Sequence, residues 1–354
     1  MKVLWFSTSS NNTPTVVESL ASLNQHEIHL FHYDAVYHRE IAAAVQASPD
    51  VREKLHLGQF HLPRERVGMD AQMISKAKEF QPDIMLYTSA WEGDFVPLNE
   101  TLVELNSLAP LVHILYDGSD PPWWPQLKNF EDIGAFKLTV NIDGGFYWPG
   151  GGRKWNDVEG NTYSINGLTL LTPVHPAYYQ GVAIPFMQRP YAVAYAGNHG
   201  GWLRNWIVTK MHDKGYFIKP RDDKYDSYGL FAKTLMQCRA VVNVPFTGST
   251  ATTHVKGRVV EAGWAGAALL EWKNDATRAW LTPRYHFWEY EGVEDCIEQC
   301  EWLKGHPKIA EEMAKALSEE TAAVVREQVR GLARETNLYN RPELEMPRWL
   351  QTHE

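Results

Sequence analysis

Cysteine and long apolar runs are both scarce in this sequence. Three Cys among 354 residues are too few for a disulfide framework and are typical of a reducing compartment, so we expect a cytoplasmic protein. Cys296 and Cys300 lie one helical turn apart, but no His or Cys set accompanies them, and we predict no metal site. No run of about 18 apolar residues occurs, and the apolar start MKVLWF is too short for a signal peptide. We therefore expect no integral membrane association.

Positive charge is in deficit as well. Lys and Arg number 34 against 43 Asp and Glu, and the formal net charge of −9 offers no general attraction to nucleic acid or anionic lipid. A local basic rim could still form from Arg52, Lys54, Arg64, Arg66, Arg153 and Lys154. Aromatic residues, in contrast, are frequent at 12%, and 14 residues are Trp. That content suits a large core together with a platform for stacking on a sugar ring or a base.

The first third of the chain alternates predicted strands with predicted helices. Apolar or alternating runs predict strands at Val3–Ser7, Glu27–Tyr33, Asp83–Tyr87 and Leu111–Tyr116. Helical patterns lie between them at Thr15–Leu23, Arg66–Phe80 and Pro97–Leu105. This order predicts an α/β domain with a parallel sheet, whose ligands bind beyond the carboxyl ends of the strands. The loops at 7–13, 88–94 and 117–124 should therefore face the ligand.

A second alternating series begins near Tyr191, after an irregular segment. Residues 143–179 are rich in Gly and aromatic residues, as in DGGFYWPGGGRKW, and we predict an ordered excursion with a hairpin around Tyr163–Leu171. Strands at Tyr191–Ala196, Ala240–Val244 and Ala268–Glu271 then alternate with helices. We predict a first Rossmann-like domain at 1–185, a second at 186–325, and a helical segment at 326–354 that crosses back to the first domain.

Three stretches of the second half carry a family resemblance. They are GNHGGWLRNWIVTKMHDKG, CRAVVNVP and VKGRVVEAGWAGAALLEWKNDATRAWLTPRYHFWEYEGVEDCIEQCEWLKGHP. Over Ala194–Pro307 the sequence resembles the carboxyl-terminal domain of GT-B glycosyltransferases, of the family 1-like type related to the CgeB proteins. The first half resembles GT-B domains in its pattern and in LYDGSDPPW after a strand. The resemblance implies an α/β GT-B fold, in which two doubly wound Rossmann-like domains face a central cleft and the second holds a nucleotide-sugar.

The resemblance also implies a nucleotide site on the helix that follows Gly257. Glu261 is the equivalent of the Glu that accepts hydrogen bonds from ribose hydroxyls in retaining GT-B enzymes. A carboxylate suits two vicinal hydroxyls because it is purely an acceptor. Many such enzymes carry a second Glu eight residues earlier that contacts the donor sugar, whereas this sequence has Thr253. That departure leaves the donor sugar and the choice between retention and inversion open.

Small and basic residues on two loops predict contacts with a diphosphate. Backbone N–H groups at a helix N-terminus favour anions, and glycines allow the backbone to approach a ligand closely. Besides Glu261 and Thr253, the candidates for nucleotide binding are Gly197, His199, Gly200, Arg204, Thr252, Lys256 and Arg258. Arg204 and Lys256 are also the predicted catalytic cations, since they would neutralise the departing diphosphate. Arg258 has an alternative role as an internal ion-pair partner.

The loops after the first-domain strands supply the predicted acceptor side. Asp117 or Asp120 would orient or deprotonate an acceptor hydroxyl, although GSDPP is also an ordinary turn. Four loop Trp residues would stack on the acceptor, namely Trp91, Trp123, Trp124 and Trp148. His113 lies inside a strand, where we expect a core residue. We also expect core packing for Trp5, Trp264, Trp272, Trp280 and Trp288.

Together these features predict a glycosyltransferase that moves a sugar from a nucleoside diphosphate-sugar to a hydroxyl. A UDP-sugar is the first-choice donor. The resemblance favours retention of configuration without a metal or another cofactor. Two alternatives stay open: a phage-type enzyme that glycosylates a modified DNA base flipped out of the duplex, and a non-catalytic nucleotide- or sugar-binding protein. The expected acceptor is a saccharide, a small molecule or such a base, and the expected assembly is a monomer or weak dimer.

Overall fold

The chain divides into two compact units. The computed structural model describes residues 2–8, 27–56, 62, 68–88, 96–116, 124–142, 154–156, 162–164, 167–172, 174, 176–181, 184–197, 202–218, 228–246 and 254–335. The first unit comprises Met1–Leu115, Pro122–Val140 and Arg153–Leu168, and the second comprises Tyr116–Pro121, Asn141–Gly152 and Thr169–Glu354.

The first unit is built around a six-stranded sheet. Its strands are β1 (Lys2–Ser7), β2 (Glu27–His32), β3 (Ile84–Thr88), β4 (Leu111–Leu115), β5 (Leu138–Asn141) and β8 (Gly167–Thr169), in the order β2-β1-β3-β4-β5-β8. β1 pairs in parallel with β2 and β3, and β3 pairs in parallel with β4. The helices are α1 (Asp34–Ala47), α2 (Pro49–His56), α3 (Met69–Phe80), α4 (Asn99–Leu108) and α5 (Trp124–Asp132). Each residue of β4 is buried, as expected for a central parallel strand.

The four predicted strands of the first unit are confirmed to within one residue at either end. The helix predicted at 66–80 begins at Met69, directly after Gly68, whose φ is 55°. Helices α1, α2 and α5 and strand β5 were not predicted. Helix α1 buries residues of its first turn only, Asp34, Val36 and Tyr37, so it lacks the sustained apolar stripe that identifies a helix in a sequence. The helix predicted at 15–23 lies outside the described residues.

The prediction of a hairpin around Tyr163–Leu171 was wrong in position. The antiparallel pair joins β6 (Lys154–Asn156) to β7 (Thr162–Ser164), with residue 155 opposite residue 163. Strand β8 joins the six-stranded sheet beside β5 instead of pairing with β7. The physical reason is burial, because Gly167 and Thr169 enter that sheet and Leu170 N–H donates to Asn141 O over 2.8 Å.

The second unit is built around a five-stranded parallel sheet. Its strands are β9 (Tyr191–Ala196), β10 (Phe217–Ile218), β11 (Cys238–Asn243), β12 (Ala268–Trp272) and β13 (Trp288–Tyr290), in the order β10-β9-β11-β12-β13. The helices are α6 (Trp202–Asp213), α7 (Tyr228–Met236), α8 (Arg258–Ala265), α9 (Asp275–Arg278), α10 (Val293–Gly305) and α11 (Pro307–Glu335). The three strands that the sequence predicted in this half, Tyr191–Ala196, Ala240–Val244 and Ala268–Glu271, agree with β9, β11 and β12 to within two residues at either end.

Each face of the second sheet carries its own apolar cluster. Ala194 and Leu269 belong to one cluster, and their neighbours Val193 and Leu270 belong to the other. This alternation follows from the two-residue period of a strand. The first cluster packs against α7, α8 and α11, and it also contains residues of the segment just before 186, namely Leu171, Val174 and Tyr179. The second unit therefore begins upstream of residue 186, because these apolar side chains pack in its core.

Helix α11 packs on α8 where a glycine allows close approach. A Cβ added at Gly263 would overlap the side chain of Thr321. The two helices therefore approach so closely at this point that only Gly fits without a shift. Helix α11 extends to Glu335, and residues 336–354 lie outside the described residues. The return of residues 326–354 to the first domain stays a prediction.

Core packing is confirmed for the five Trp residues that the sequence assigned to it. Trp5 is fully buried, and its indole N–H donates to Thr88 Oγ1 over 2.9 Å. The remaining four pack against the two clusters of the second unit, namely Trp264, Trp272, Trp280 and Trp288. Their large apolar area is used in packing, and the indole N–H groups of Trp5, Trp264 and Trp288 donate to protein acceptors.

Candidate functional site

Glu261 lies in the first turn of α8 with its carboxylate almost enclosed. Its side chain is 12% exposed. Oε1 accepts a hydrogen bond of 2.9 Å from the Tyr228 hydroxyl, which comes from the first residue of α7. Oε2 lies 3.5 Å from Nε of Arg258 on the same helix. The acidic group that the sequence singled out is thus a partly buried, oriented carboxylate rather than a solvated surface charge.

Arg258 serves as an internal partner in this arrangement. Its guanidinium donates to the backbone carbonyl of Ala196 at the end of β9 and lies over the Phe231 ring, 4.8 Å from the centroid. It is as buried as Glu261, its ion-pair partner. These contacts agree with the alternative role of Arg258 as an internal ion-pair partner. A contact of Arg258 with a nucleotide stays a prediction.

Gly197 brings the backbone after β9 next to the same cluster. A Cβ at this position would lie 3.0 Å from the Tyr195 hydroxyl, which is tighter than an ordinary contact, and 3.5 Å from Nη2 of Arg258, which is an ordinary contact distance. The absence of a side chain therefore lets the chain pass between these two groups. The structure brings Gly197, Arg258 and Glu261 together at the carboxyl end of β9, where ligands of parallel sheets bind.

Arg204 is anchored by the protein itself. Its Nη2 donates to Phe246 O over 2.6 Å and lies 3.5 Å from Val244 O, just beyond β11. The guanidinium thus ties α6 to the segment that follows β11. Its predicted contact with a diphosphate stays a prediction, as does that of Lys256, which is partly buried two residues before α8. Lys210 is an exposed helix residue that pairs with Glu294 at 3.0 Å.

Several predicted site residues lie outside the described residues. They are Trp91, Asp117, Asp120, Trp123, Trp148, His199, Gly200, Thr252 and Thr253. Trp124 begins helix α5, but nothing is described of its side chain. The acceptor side and the phosphate loops therefore stay predictions.

His113 is confirmed as a core residue. It is fully buried in β4, and its ring stacks on Phe136 with 4.6 Å between centroids. Burial lowers the pKa of His113 from 6.5 to about 3, because the imidazolium form would lose its hydration. The imidazole therefore stays neutral at physiological pH and contributes to packing.

A second buried carboxyl, Glu271 on β12, was not predicted as a polar site. It is fully buried and accepts hydrogen bonds from Asn243 Nδ2 at 2.7 Å and from Asn274 Nδ2 at 3.2 Å. Asn274 also caps α9, since its Oδ1 accepts from Thr277 N–H over 2.8 Å. Burial raises the pKa of Glu271 to about 8. This network joins the carboxyl ends of β11 and β12 to the start of α9.

The described residues contain no group of three or more His, Cys, Asp or Glu side chains suited to hold a metal ion. Across the same residues, no helix combines the length and apolar character required to span a bilayer.

Comparisons with known proteins identify the fold. No protein-family model matches the sequence, and no curated protein sequence matches it either. Among solved structures, the chain is similar to HepE of Anabaena in complex with UDP and glucose, with a TM-score of 0.57 at 11% identity over 94% of this chain and 99% of that one. It is similar to sucrose-phosphate synthase of Thermosynechococcus elongatus, with a TM-score of 0.54 at 10% identity over 96% and 100%.

A third similar structure is an alpha-glucosyltransferase in complex with UDP-glucose and DNA containing an abasic site. The TM-score is 0.57 at 10% identity, over 94% of this chain and 99% of that one. These three proteins share one architecture over nearly the whole of each chain, and the two α/β units with their sheets match it. The chain therefore has the GT-B fold of these glycosyltransferases, as the sequence predicted.

Proposed function

We propose that this protein is a glycosyltransferase that transfers a sugar from a UDP-sugar to a hydroxyl acceptor. The observation that carries the proposal is the nearly buried Glu261 carboxylate, which pairs with Arg258, whose guanidinium donates to Ala196 O at the carboxyl end of β9. A carboxylate in that place offers acceptors to both hydroxyls of a ribose. Two of the similar structures are complexes with UDP or UDP-glucose, which makes a UDP-sugar the donor to test first.

The reaction breaks the bond between the anomeric carbon and the diphosphate oxygen, and it forms a bond from that carbon to the acceptor oxygen. Negative charge develops on the departing diphosphate. In our proposal Arg204, Lys256 and the N–H groups at the start of α8 stabilise that charge. Asp117 or Asp120 orients the acceptor hydroxyl, whose proton passes to the departing diphosphate oxygen if configuration is retained and to the Asp carboxylate if it is inverted. We propose retention of configuration and no requirement for a metal, with Thr253 in place of the second Glu of many related enzymes.

Binding of nucleotides is the first test. Titration calorimetry with UDP, GDP and CMP, and with UDP-glucose, should give saturable binding of a uridine nucleotide. Slow release of UDP from UDP-glucose without an acceptor should accompany it, because water replaces the acceptor hydroxyl. Absence of any binding at millimolar nucleotide would refute the proposal. Saturable binding without turnover of donor over a broad acceptor panel would instead favour a non-catalytic binding protein.

The role of Glu261 has a matched control in the same unit. Glu261→Gln keeps the size of the side chain and an oxygen for the Tyr228 hydroxyl, and it should weaken UDP binding roughly tenfold. Glu294→Gln removes the same charge from a side chain that is 74% exposed, and it should leave the affinity unchanged. Unfolding midpoints of both variants check that the fold is intact. Equal affinities of wild type and Glu261→Gln would remove Glu261 from the nucleotide site.

A modified base in DNA is the second candidate acceptor. One similar structure contains DNA beside UDP-glucose, whereas the net charge of −9 opposes binding to a polyanion. Retention on duplex DNA that weakens steeply with salt would favour this acceptor, because contacts to phosphates release counterions. Absence of binding at low salt would leave a saccharide or small molecule as the acceptor.

A further inference from the structure

The orientation of Glu261 depends on a partner that the sequence did not indicate. In the part of the chain that the structure describes, the Tyr228 hydroxyl donates a hydrogen bond of 2.9 Å to this carboxylate. Arg258 lies 3.5 Å from Oε2, beyond the usual range of a hydrogen bond. The guanidinium is directed to the carbonyl of Ala196 and to the ring of Phe231. Arg258 therefore supplies charge to the carboxylate, whereas Tyr228 supplies direction.

Tyr228 is itself held in place by aromatic neighbours. Its ring meets the rings of Tyr178 and Tyr179 edge-on, with centroids 4.9 Å and 6.5 Å apart, and lies 5.7 Å from that of Phe231. Such packing fixes the side chain through its ring as well as through its hydroxyl. Replacing Tyr228 with Phe would preserve these contacts and remove the hydroxyl alone.

The hydroxyls of Tyr179 and Tyr228 form a short chain that ends at the carboxylate. Their oxygens are 3.0 Å apart. Because a carboxylate accepts and never donates, the Tyr228 proton points to Glu261, and the Tyr179 proton points to the Tyr228 oxygen. Burial and the charge of Glu261 raise the pKa of both hydroxyls, so each stays protonated and keeps its direction. A chain with a fixed direction strengthens its last hydrogen bond.

We infer that Tyr228 is a positioning residue, whose hydroxyl, supported by Tyr179, holds the Glu261 carboxylate in the orientation that receives a ribose diol. The inference rests on the proposed function and adds a specificity to it. The protein should prefer ribonucleoside diphosphates over their deoxy analogues. The reason is that Tyr228 occupies one lone pair of Glu261 Oε1, so the remaining lone pairs of the carboxylate have fixed directions. Without the Tyr228 hydroxyl, Glu261 can turn to Arg258 and close the gap of 3.5 Å.

The test compares two ligands across matched variants. Affinities for UDP and for 2′,3′-dideoxy-UDP are measured by titration calorimetry on wild type and on Tyr228→Phe. The variant should bind UDP roughly tenfold more weakly and bind the dideoxy compound as wild type does. Combining Tyr228→Phe with Glu261→Gln should add little further loss for UDP, since both changes disable the same carboxylate.

A matched control is available on the opposite face of the second sheet. Tyr216 also donates its hydroxyl to a carboxylate, that of Glu301, and it packs in the other apolar cluster. Tyr216→Phe removes the same kind of hydrogen bond and should leave both affinities unchanged. Tyr179→Phe keeps the hydrogen bond to Glu261 but removes its support, so it should weaken UDP binding by a smaller factor, roughly twofold to threefold.

Five outcomes would overturn the inference. Equal weakening of both ligands by Tyr228→Phe would mean that the hydroxyl supports the fold alone. An unchanged preference for UDP in Tyr228→Phe would mean that Glu261 is oriented without it. If that variant does not fold, an unchanged preference in Tyr179→Phe decides against the inference. Wild type that binds UDP and the dideoxy compound equally would refute the inference and leave the proposed function intact, whereas wild type that binds no nucleotide would refute both.

Discussion

Glu271 should make the stability of the protein depend on pH near neutrality. The carboxyl is fully buried, and burial raises its pKa from 4.5 to about 8, against the opposing effect of amide donors from Asn243 and Asn274. The nearby charge of Glu289 raises it slightly further. In the unfolded chain the same carboxyl is hydrated and ionises near its ordinary pKa. The folded state therefore holds a proton that the unfolded state releases over this interval.

The sign of the effect follows from linkage between proton binding and folding. Because the folded pKa is the higher one, the contribution of Glu271 is fully present below pH 4.5 and is lost as the pH rises to about 8. Each pH unit removes about 1.4 kcal/mol, so the whole interval corresponds to roughly 5 kcal/mol as an upper limit. Relaxation of the protein around a buried charge reduces this value. We expect a measured loss of about 2–4 kcal/mol between pH 5 and pH 8.

Equilibrium urea unfolding of wild type and of Glu271→Gln at pH 5, 6, 7 and 8 isolates this contribution. Other ionisable groups are common to both proteins, so the difference between the two free energies of unfolding reports on Glu271. The variant should gain about 2–4 kcal/mol on wild type from pH 5 to pH 8. Glu294→Gln, at an exposed side chain, controls for the loss of one charge. The reasoning would be refuted if the free energies of unfolding of wild type and Glu271→Gln changed in parallel with pH. It would also be refuted if the variant gained stability on wild type as the pH falls.

Two further predictions concern close packing and buried carbonyl groups in the second unit. Gly263→Ala places a methyl group against Thr321, and should cost about 2–3 kcal/mol in urea unfolding; a loss below about 0.5 kcal/mol would show that α11 moves aside freely. Arg189 Nη1 donates to Cys238 O at 2.8 Å and to Gly266 O at 2.6 Å, so Arg189→Met should destabilise the protein by about 1–3 kcal/mol through two unsatisfied acceptors. An unchanged free energy of unfolding in Arg189→Met would show that these two hydrogen bonds do not stabilise the protein.

The strands could be predicted because buried parallel strands have a pattern of their own. YAVAYA gives β9 at Tyr191–Ala196, and LVHIL gives β4 at Leu111–Leu115, since both are nearly continuous apolar runs. Helix α1 was not predicted because it buries so few residues. The hairpin of β6 and β7 was predicted in the wrong place because Gly167–Thr169 pairs with a sheet whose strands are distant in sequence. Patterns with a clear period were therefore informative, whereas pairings over long distances were not.

The sequence singled out Glu261 but not the tyrosine hydroxyl that contacts it, for a similar reason. Glu261 stands in VKGRVVEAGWAG, and its position near the start of a helix was sufficient to single it out. Tyr228 lies 33 residues earlier, in a helix without a distinctive motif, and its hydrogen bond depends on the packing of α7 against α8. Tyr179 is 49 residues before Tyr228, in a segment that the sequence assigned to the first domain. No local pattern could have connected these hydroxyls to the carboxylate.

The sequence by itself determined the α/β class, most of the strands and the GT-B fold, and it singled out Glu261 as a candidate site residue. Only the tertiary structure decided what each polar group contacts. It directs Arg204 to the carbonyl of Phe246, pairs Arg258 with Glu261, and encloses Glu271 between two asparagines. The physical reason is that periodicity records which face of an element is buried, whereas hydrogen bonds and pKa values depend on atoms that folding brings together from distant parts of the chain.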